Sequence, residues 1–207
     1  YQDAQGIDKI QKYASLFGLD QKSGVEIEEM DPHVSDTDAV RSSIGQGTNN
    51  YAPVQLARYV TTIANEGNCY DLTLVNEIKN IDGRTVYKSD NVPKNTVDLT
   101  DSQWAVIKQG MRQMVSEHPS PSALINQINV NVAGKTGTAE EDTTRPDHAL
   151  FVSFAPYENP EVSVTCVIPH GYTSGNAEEL AGMVYAYMYD PDKLDTLDIT
   201  GNNQMSD

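Results

Sequence analysis

Lys135-Thr136-Gly137-Thr138 is the stretch whose residue types could do chemistry. It follows Val130 and Val132, which alternate with Asn129 and Asn131 in the period-2 pattern of a half-buried strand, so the spacing predicts a strand over 130–139. A strand that ends in a cation, two hydroxyls and a glycine is poor core material. Gly137 weakens it and removes a side chain where another group must come close to the backbone. Lys135 offers positive charge and Thr136 and Thr138 offer hydroxyls; on an edge strand the Thr138 N–H is also free to donate. Together they would hold a carboxylate and a developing oxyanion. The expectation is an edge strand with Lys135 and Thr138 on an open groove and 148–155 pairing along its other side.

Elements on either side must position this strand. Ile7, Ile10, Ala14 and Phe17 form one stripe of a helix over 6–18, with Gly18 as its stop, and the acidic stretch 20–44 reads as an irregular connection. Ile44-Gly45-Gln46-Gly47 is a near miss to a dinucleotide loop, because Asn50 stands where a third glycine belongs; the two glycines instead let the backbone turn tightly. A helix is predicted from Pro53 to Asn65, with Val54, Leu56, Ala57, Val60, Ile63 and Ala64 on a broad apolar face. Asp82-Gly83 between 74–81 and 84–88 signals a hairpin. Thr100 and Gln103 form a capping-box pattern before a helix bearing Trp104, Ile107, Met111 and Met114, and a short helical piece follows near 121–127. Strands at 148–155 and 161–168 flank a Pro156–Pro160 turn, and 176–189 reads as a closing helix. The fold class expected is α+β, an antiparallel sheet flanked by helices.

Other candidate sites carry less. His33, His118, His148 and His170 stand apart without zinc spacing, and Cys69 (in a loop) and Cys166 (in an alternating run) permit at most one disulfide. No Ser-x-x-Lys occurs; Ser89-Asp90-Asn91 is made of ordinary turn residues. With 14 Lys and Arg against 30 Asp and Glu, the net charge of -16 excludes a nucleic-acid binder and is the charge of a strongly solvated surface.

In this order the features closely resemble the C-terminal part of a class B penicillin-binding protein transpeptidase domain. The resemblance rests on Gly6-Ile7-Asp8-Lys9 with Phe17-Gly18-Leu19, Ile44-Gly45-Gln46-Gly47, Pro53-Val54-Gln55-Leu56-Ala57 with Ile63-Ala64-Asn65, Ala133-Gly134-Lys135-Thr136-Gly137-Thr138-Ala139, and His148 to Pro156. Ala52 departs from the family's usual Thr before Pro53, which costs that helix a cap, and Leu150 stands where an aromatic is common. The resemblance implies a partial β-lactamase/transpeptidase-like fold over 1–190, a polar tail over 191–207, and an upstream half of the domain outside this sequence. That half would bring the Ser-x-x-Lys nucleophile and the Ser-x-Asn motif, leaving Ser89-Asp90-Asn91 a decoy.

The function so implied is peptidoglycan D,D-transpeptidation: a serine attacks a D-Ala-D-Ala stem peptide, releases D-Ala and passes the acyl group to an amine. β-Lactams would acylate the same serine. Catalytic roles fall to Lys135, Thr136, Gly137 and Thr138, of which Lys135, Thr136 and Thr138 bind substrate; no metal or cofactor is implied. The 207 residues alone are expected to be inactive and, through uncovered apolar surface and an unpaired edge, to be poorly soluble, to self-associate or to depend on a polypeptide carrying the upstream half. The parent is expected on the extracytoplasmic face of a bacterial membrane, anchored by a missing N-terminal segment and associated with a cell-wall polymerase. A β-lactam sensor and a D-Ala-D-Ala carboxypeptidase are the alternatives.

Overall fold

A computed structural model describes residues 3–117, 124–141 and 143–194. Helix α1 (Asp3–Leu16) buries Ile7 and Ala14 on its predicted stripe and ends where Gly18 takes a φ of 73°. It starts before residue 6 because Asp3 is useful there: its carboxylate accepts the Ala39 N–H at 2.7 Å. That contact opens α2 (Ala39–Ser42), a single turn inside the stretch expected to be irregular. Helix α3 (Pro53–Ala64) starts without a side-chain cap, as Ala52 dictates, and keeps half a capping box, Gln55 Oε1 accepting the Ala52 N–H at 2.9 Å.

Strands β1 (Asn68–Cys69), β2 (Glu77–Lys79), β3 (Thr85–Lys88) and β4 (Asn95–Thr96) form antiparallel pairs β1–β4 and β2–β3. Cys69 is thus in a strand rather than a loop, one too short for periodicity to reveal. Helix α4 (Asp101–Glu117) has its predicted capping box, Thr100 N–H to Gln103 Oε1 at 2.9 Å and Gln103 N–H to Thr100 Oγ1 at 3.3 Å. It buries Trp104, Met111 and Val115, whereas Ile107 is exposed. Lys108 takes the inward position between Trp104 and Met111, its stem covered and its Nζ 2.8 Å from Glu66.

The helical piece expected near 121–127 lies partly outside the described residues; 124–127 form a turn. Strands β5 (Ala133–Ala139), β6 (His148–Ala155) and β7 (Val162–Ile168) make an antiparallel sheet in that order. Strand β5 begins at residue 133, not 130, because its ladder stops where β6 runs into Pro156, which cannot donate. Helix α5 (Ser174–Tyr189), capped by Thr173, and the short α6 (Pro191–Leu194) follow. The rest of the expected tail, 195–207, lies outside the described residues.

The sheet separates two cores. On one face Ala149, Phe151, Ala155 and Cys166 pack under Ala177, Ala181 and Tyr185 of α5; on the other Ala133 and Phe154 meet Val60 and Ile63 of α3 with Trp104 and Met111 of α4. Helix α4 serves both, since Val115 joins the first. The Tyr185 hydroxyl lies 3.0 Å from Ser153 Oγ, and burial pushes its phenol far above its ordinary value.

The least expected core feature is polar. Arg58, 1 % exposed, donates to the carbonyls of Gly18, Gln21 (2.7 Å) and Lys22 (2.8 Å) and to Asp71 at 3.2 Å. One turn away on α3, Gln55 Nε2 donates to Glu29 at 2.7 Å and to the Met30 carbonyl at 2.9 Å. Glu29 also accepts the Ser23 N–H at 2.7 Å and hydroxyl at 2.6 Å. These bonds fasten the irregular 18–31 segment to α3.

Burial by itself would raise the Glu29 carboxyl, but the bonds from Ser23 and Gln55 and the charge of Arg58 outweigh it and hold it below its ordinary value. A carboxyl depressed in the folded state binds its proton more tightly when unfolded. Its contribution is therefore complete above the unfolded value, near pH ~4.3, and is lost as pH falls through the lower folded one. Glu29→Gln should flatten the dependence of the urea midpoint on pH below about 5. An unchanged pH slope would contradict this assignment.

Candidate active site

Strand β5 is the outer strand of its sheet, so its residues turn their backbone groups alternately toward β6 and away from it. The Asn131 carbonyl accepts Tyr157 N–H at 2.8 Å on the β6 side, whereas the Val132 carbonyl accepts Arg112 Nη1 at 3.3 Å on the α4 side. Continuing that alternation, the N–H and C=O of Gly134, Thr136 and Thr138 face outward. The Lys135 ammonium agrees with this parity, folding back onto the Thr136 carbonyl at 2.7 Å. Among the described residues no strand pairs with this edge. The Thr138 N–H is thus the free donor that the sequence required.

Side chains alternate by the same pleat. Lys135 stands opposite Val152 and Gly137 opposite Leu150, on the face of α3; Thr136 stands opposite Phe151 and Thr138 opposite Ala149, on the face of α5. Lys135 and Thr138 therefore share an edge and not a face. It is the Thr138 N–H, rather than its hydroxyl, that lies on the edge with the cation. Thr136 is half-buried with its hydroxyl 3.9 Å from Met114 Sδ, while Lys135 and Thr138 are exposed.

The two glycines of this strand differ in cause. A Cβ at Gly134 would lie 2.5 Å from the Phe151 ring and 3.0 Å from Ser153 Cβ, so the fold itself requires a glycine there. A Cβ at Gly137 would meet only Leu150 Cβ at 3.4 Å, an ordinary contact. Nothing in the described chain demands the missing side chain at Gly137.

Two neighbouring arrangements hold the strand. At its start Arg112 Nη2 donates to Asn131 Oδ1 at 3.0 Å, and Asn131 Nδ2 donates to Glu158 at 2.6 Å, which holds that carboxyl below its ordinary value. This ties α4, β5 and the β6–β7 turn together. At its end His148 Nδ1 accepts the His170 N–H at 3.0 Å, which places the His148 proton on Nε2, 3.1 Å from Glu141. His170 Nδ1 in turn lies 3.1 Å from the Pro146 carbonyl. These histidines are structural, and none of Arg112, Asn131, Glu141 or Gly134 announced its part in the sequence. Only the partner's position in space distinguishes them from solvated polar residues.

Beyond Ala139 a cleft of about 640 Å³ opens between Glu140-Glu141 and the 37–48 segment. Gly47 in its wall has a φ of 86°, and a Cβ there would come within 2.7 Å of Ser42 Oγ and 2.9 Å of Ser35 Oγ. Those hydroxyls bond each other at 2.6 Å, and Ser35 lies 3.2 Å from Thr48 Oγ1. Gly47 is thus packed against a hydroxyl cluster, whereas Gly45, with a φ of 87°, serves the turn alone and has open space around it. Ser89-Asp90-Asn91 sits at the foot of the β2–β3 hairpin, where Ser89 N–H closes on the Asn76 carbonyl at 2.9 Å. That bond extends the hairpin ladder, and the three residues form an irregular stretch rather than the turn their types suggested.

Chemically, the edge of β5 can bind an anion or an extended peptide: an exposed ammonium, an outward N–H and an unfilled glycine lie within four residues. Residues 2–187 match the family described as penicillin binding protein transpeptidase domain. Penicillin-binding protein 2B of Streptococcus pneumoniae is 29 % identical over 79 % of this chain and 26 % of its own length. Peptidoglycan D,D-transpeptidase MrdA of Acinetobacter baumannii is 26 % identical over 88 % of this chain and 31 % of its own. This chain thus spans about a quarter to a third of such relatives. Among solved structures, the Streptococcus pneumoniae 2B protein superposes with a TM-score of 0.74 at 28 % identity, covering 89 % of this chain and 33 % of that one. An imipenem acyl-enzyme complex of Mycobacterium tuberculosis penicillin-binding protein A does so at 0.76 and 26 % identity, covering 87 % and 42 %. A match across nearly the whole chain, with the α+β architecture shared, places the chain in the penicillin-binding protein transpeptidase family, among its class B members.

Proposed function

We propose that this chain supplies the Lys-Thr-Gly-Thr wall of a D,D-transpeptidase site whose serine is carried by polypeptide outside these 207 residues. The observation that carries the proposal is Gly137: it shares a face with the exposed Lys135 and lies between the edge groups of Thr136 and Thr138, with no packing reason among the described residues. A D-Ala-D-Ala stem peptide would lie along β5, its terminal carboxylate drawn by Lys135 and hydrogen-bonded by the Thr136 and Thr138 hydroxyls. Both hydroxyls stand on the face of α5, so Thr136 would turn its hydroxyl from Met114, and Thr138 its own, to the edge to reach that carboxylate.

The serine oxygen would form a bond to the penultimate carbonyl carbon, and the carbonyl oxygen, now an anion, would accept the Thr138 N–H. Loss of one such donor typically costs about 10²–10³ in rate. Collapse breaks the amide bond and expels D-Ala, whose nitrogen takes up the proton given up by the serine hydroxyl. An amine from a second strand then attacks the ester, breaking the bond to the serine oxygen, which takes up the proton that the amine loses. A β-lactam would halt at the ester. The transpeptidase region would run over 1–190, with 191–207 as a tail. No helix among the described residues is long and apolar enough to cross a membrane. The parent protein would be anchored on the extracytoplasmic face, beside a cell-wall polymerase.

Fluorescent penicillin tests this directly. Residues 1–207 alone should stay unlabelled, since no serine has a lysine one turn on. Addition of a class B serine-bearing segment should give label on that segment. Label mapped to a serine of 1–207 would overturn the proposal.

A further inference from the structure

We propose that β2 is a self-pairing edge, through which two copies of this chain join their β2–β3 hairpins into one continuous antiparallel sheet. Residues 76–88 are exposed throughout, and among the described residues the hairpin pairs only with itself. Such an isolated two-stranded ribbon is marginal in water. Its turn is nevertheless well made: Asn80 Oδ1 accepts the N–H groups of Asp82 (3.0 Å) and Arg84 (2.9 Å). Around it Ile78, Ile81, Val86 and Tyr87 all stand in solvent, Ile81 completely.

The backbone fixes which groups are free. Asn80 N–H donates to Arg84 and the Asn76 carbonyl accepts from Ser89, so the even residues of β2 face β3. Glu77 and Lys79 therefore turn their N–H and C=O groups to the empty side. A second β2 can pair there antiparallel with its two-fold axis at Glu77, Ile78 or Lys79. Centring on Glu77 or Lys79 sets like charges opposite each other. Centring on Ile78 sets Glu77 opposite the second copy's Lys79, and Lys79 opposite its Glu77, each pair exchanging both backbone hydrogen bonds. All three axes oppose outward-facing residues, and only the one at Ile78 also satisfies the charges.

The faces agree with the same register. Glu77 and Lys79 lie on a polar face, where their side chains already meet at 3.0 Å and Thr85 donates to Glu77. Ile78 pairs with Tyr87 on the other face. Joining at Ile78 makes an unbroken apolar stripe of Tyr87 and Ile78 from each copy. Strand β3 offers no equivalent edge, because Val86 is an extra residue in its ladder and bends it. The charge of -16 on each body opposes association at long range, but at about 0.15 M salt it is screened over roughly 8 Å, and the contact is made by a projecting hairpin.

Sedimentation equilibrium of the chain should show a concentration-dependent dimer. Lys79→Glu, which turns both cross-strand pairs repulsive, should weaken it by about tenfold or more. The exchanged variant Glu77→Lys/Lys79→Glu should restore association to within about threefold of the parent. Association through some other apolar surface would be blind to this exchange. A second measurement fixes the register: Ile78→Cys should cross-link to itself under mild oxidant, since directly opposed residues of a non-hydrogen-bonded pair lie about 4.5 Å apart at Cα, within disulfide reach. Lys88→Cys should not. A parent that stays monomeric to millimolar concentration, a Lys79→Glu chain that associates as the parent does, or no Ile78→Cys cross-link would each overturn the proposal.

Discussion

Lys135→Ala, in a polypeptide that joins 1–207 to its serine-bearing segment, should cut the second-order rate of penicillin acylation by about 10² or more. The ammonium is the one exposed cation of β5, next to the edge groups of Thr136 and Thr138. Without it a ligand carboxylate would have only neutral donors, and charge-assisted bonds are roughly twice as strong as neutral ones. Thr136→Val should cost about tenfold or less, because that hydroxyl points at Met114 and must turn to help. The circular dichroism of both variants should match the parent, since neither side chain belongs to a core cluster. Parental acylation rates in both variants would remove the edge of β5 from the chemistry.

The second large effect is on stability. Arg58→Met should destabilise the chain by about 3 kcal/mol or more, lowering the thermal midpoint by roughly 10 °C. The loss follows from what Arg58 satisfies: the carbonyls of Gly18, Gln21 and Lys22, and Asp71. A methionine fills similar volume and satisfies none of them, and a buried acceptor left bare costs about 1–3 kcal/mol. Arg58→Lys should recover only part, because a single ammonium cannot reproduce the planar fork. Thermal unfolding of the variants decides it. A methionine variant within about 1 kcal/mol of the parent would mean that water or a shifted loop replaces the guanidinium.

These two residues mark how far the sequence could be read. Lys135 was legible because cation, hydroxyl and glycine types are costly at the end of a half-buried strand, so their presence there calls for a reason. Asp82-Gly83 and the Thr100–Gln103 box were legible because turn and cap chemistry is local. Arg58 was not. It sits on the apolar helix α3 where periodicity assigns an arginine to solvent, and its partners are backbone carbonyls about forty residues away, which carry no residue-type signal. Ile107 failed for a narrower reason: periodicity placed Trp104 and Met111 inward correctly but not the margin of the stripe, where the covered stem of Lys108 took the inward place. The pleat that puts Thr136 and Lys135 on opposite faces is implicit in any strand. Which face holds which core needed the packing of α3 and α5.

The two thiols give this architecture a chemical history as well as a shape. Cys69 is 1 % exposed in β1 and Cys166 9 % exposed in β7, and both are free. Burial also pushes the Cys166 thiol up, leaving little thiolate to react. In an oxidising compartment the finished fold is therefore inert, and only the nascent chain is at risk. A bridge between the two could form only before β1 has found β4 and β7 has found β6, and it would tie those strands away from their partners. Maturation there is a race in which strand pairing must hide each sulfur before an oxidant reaches it.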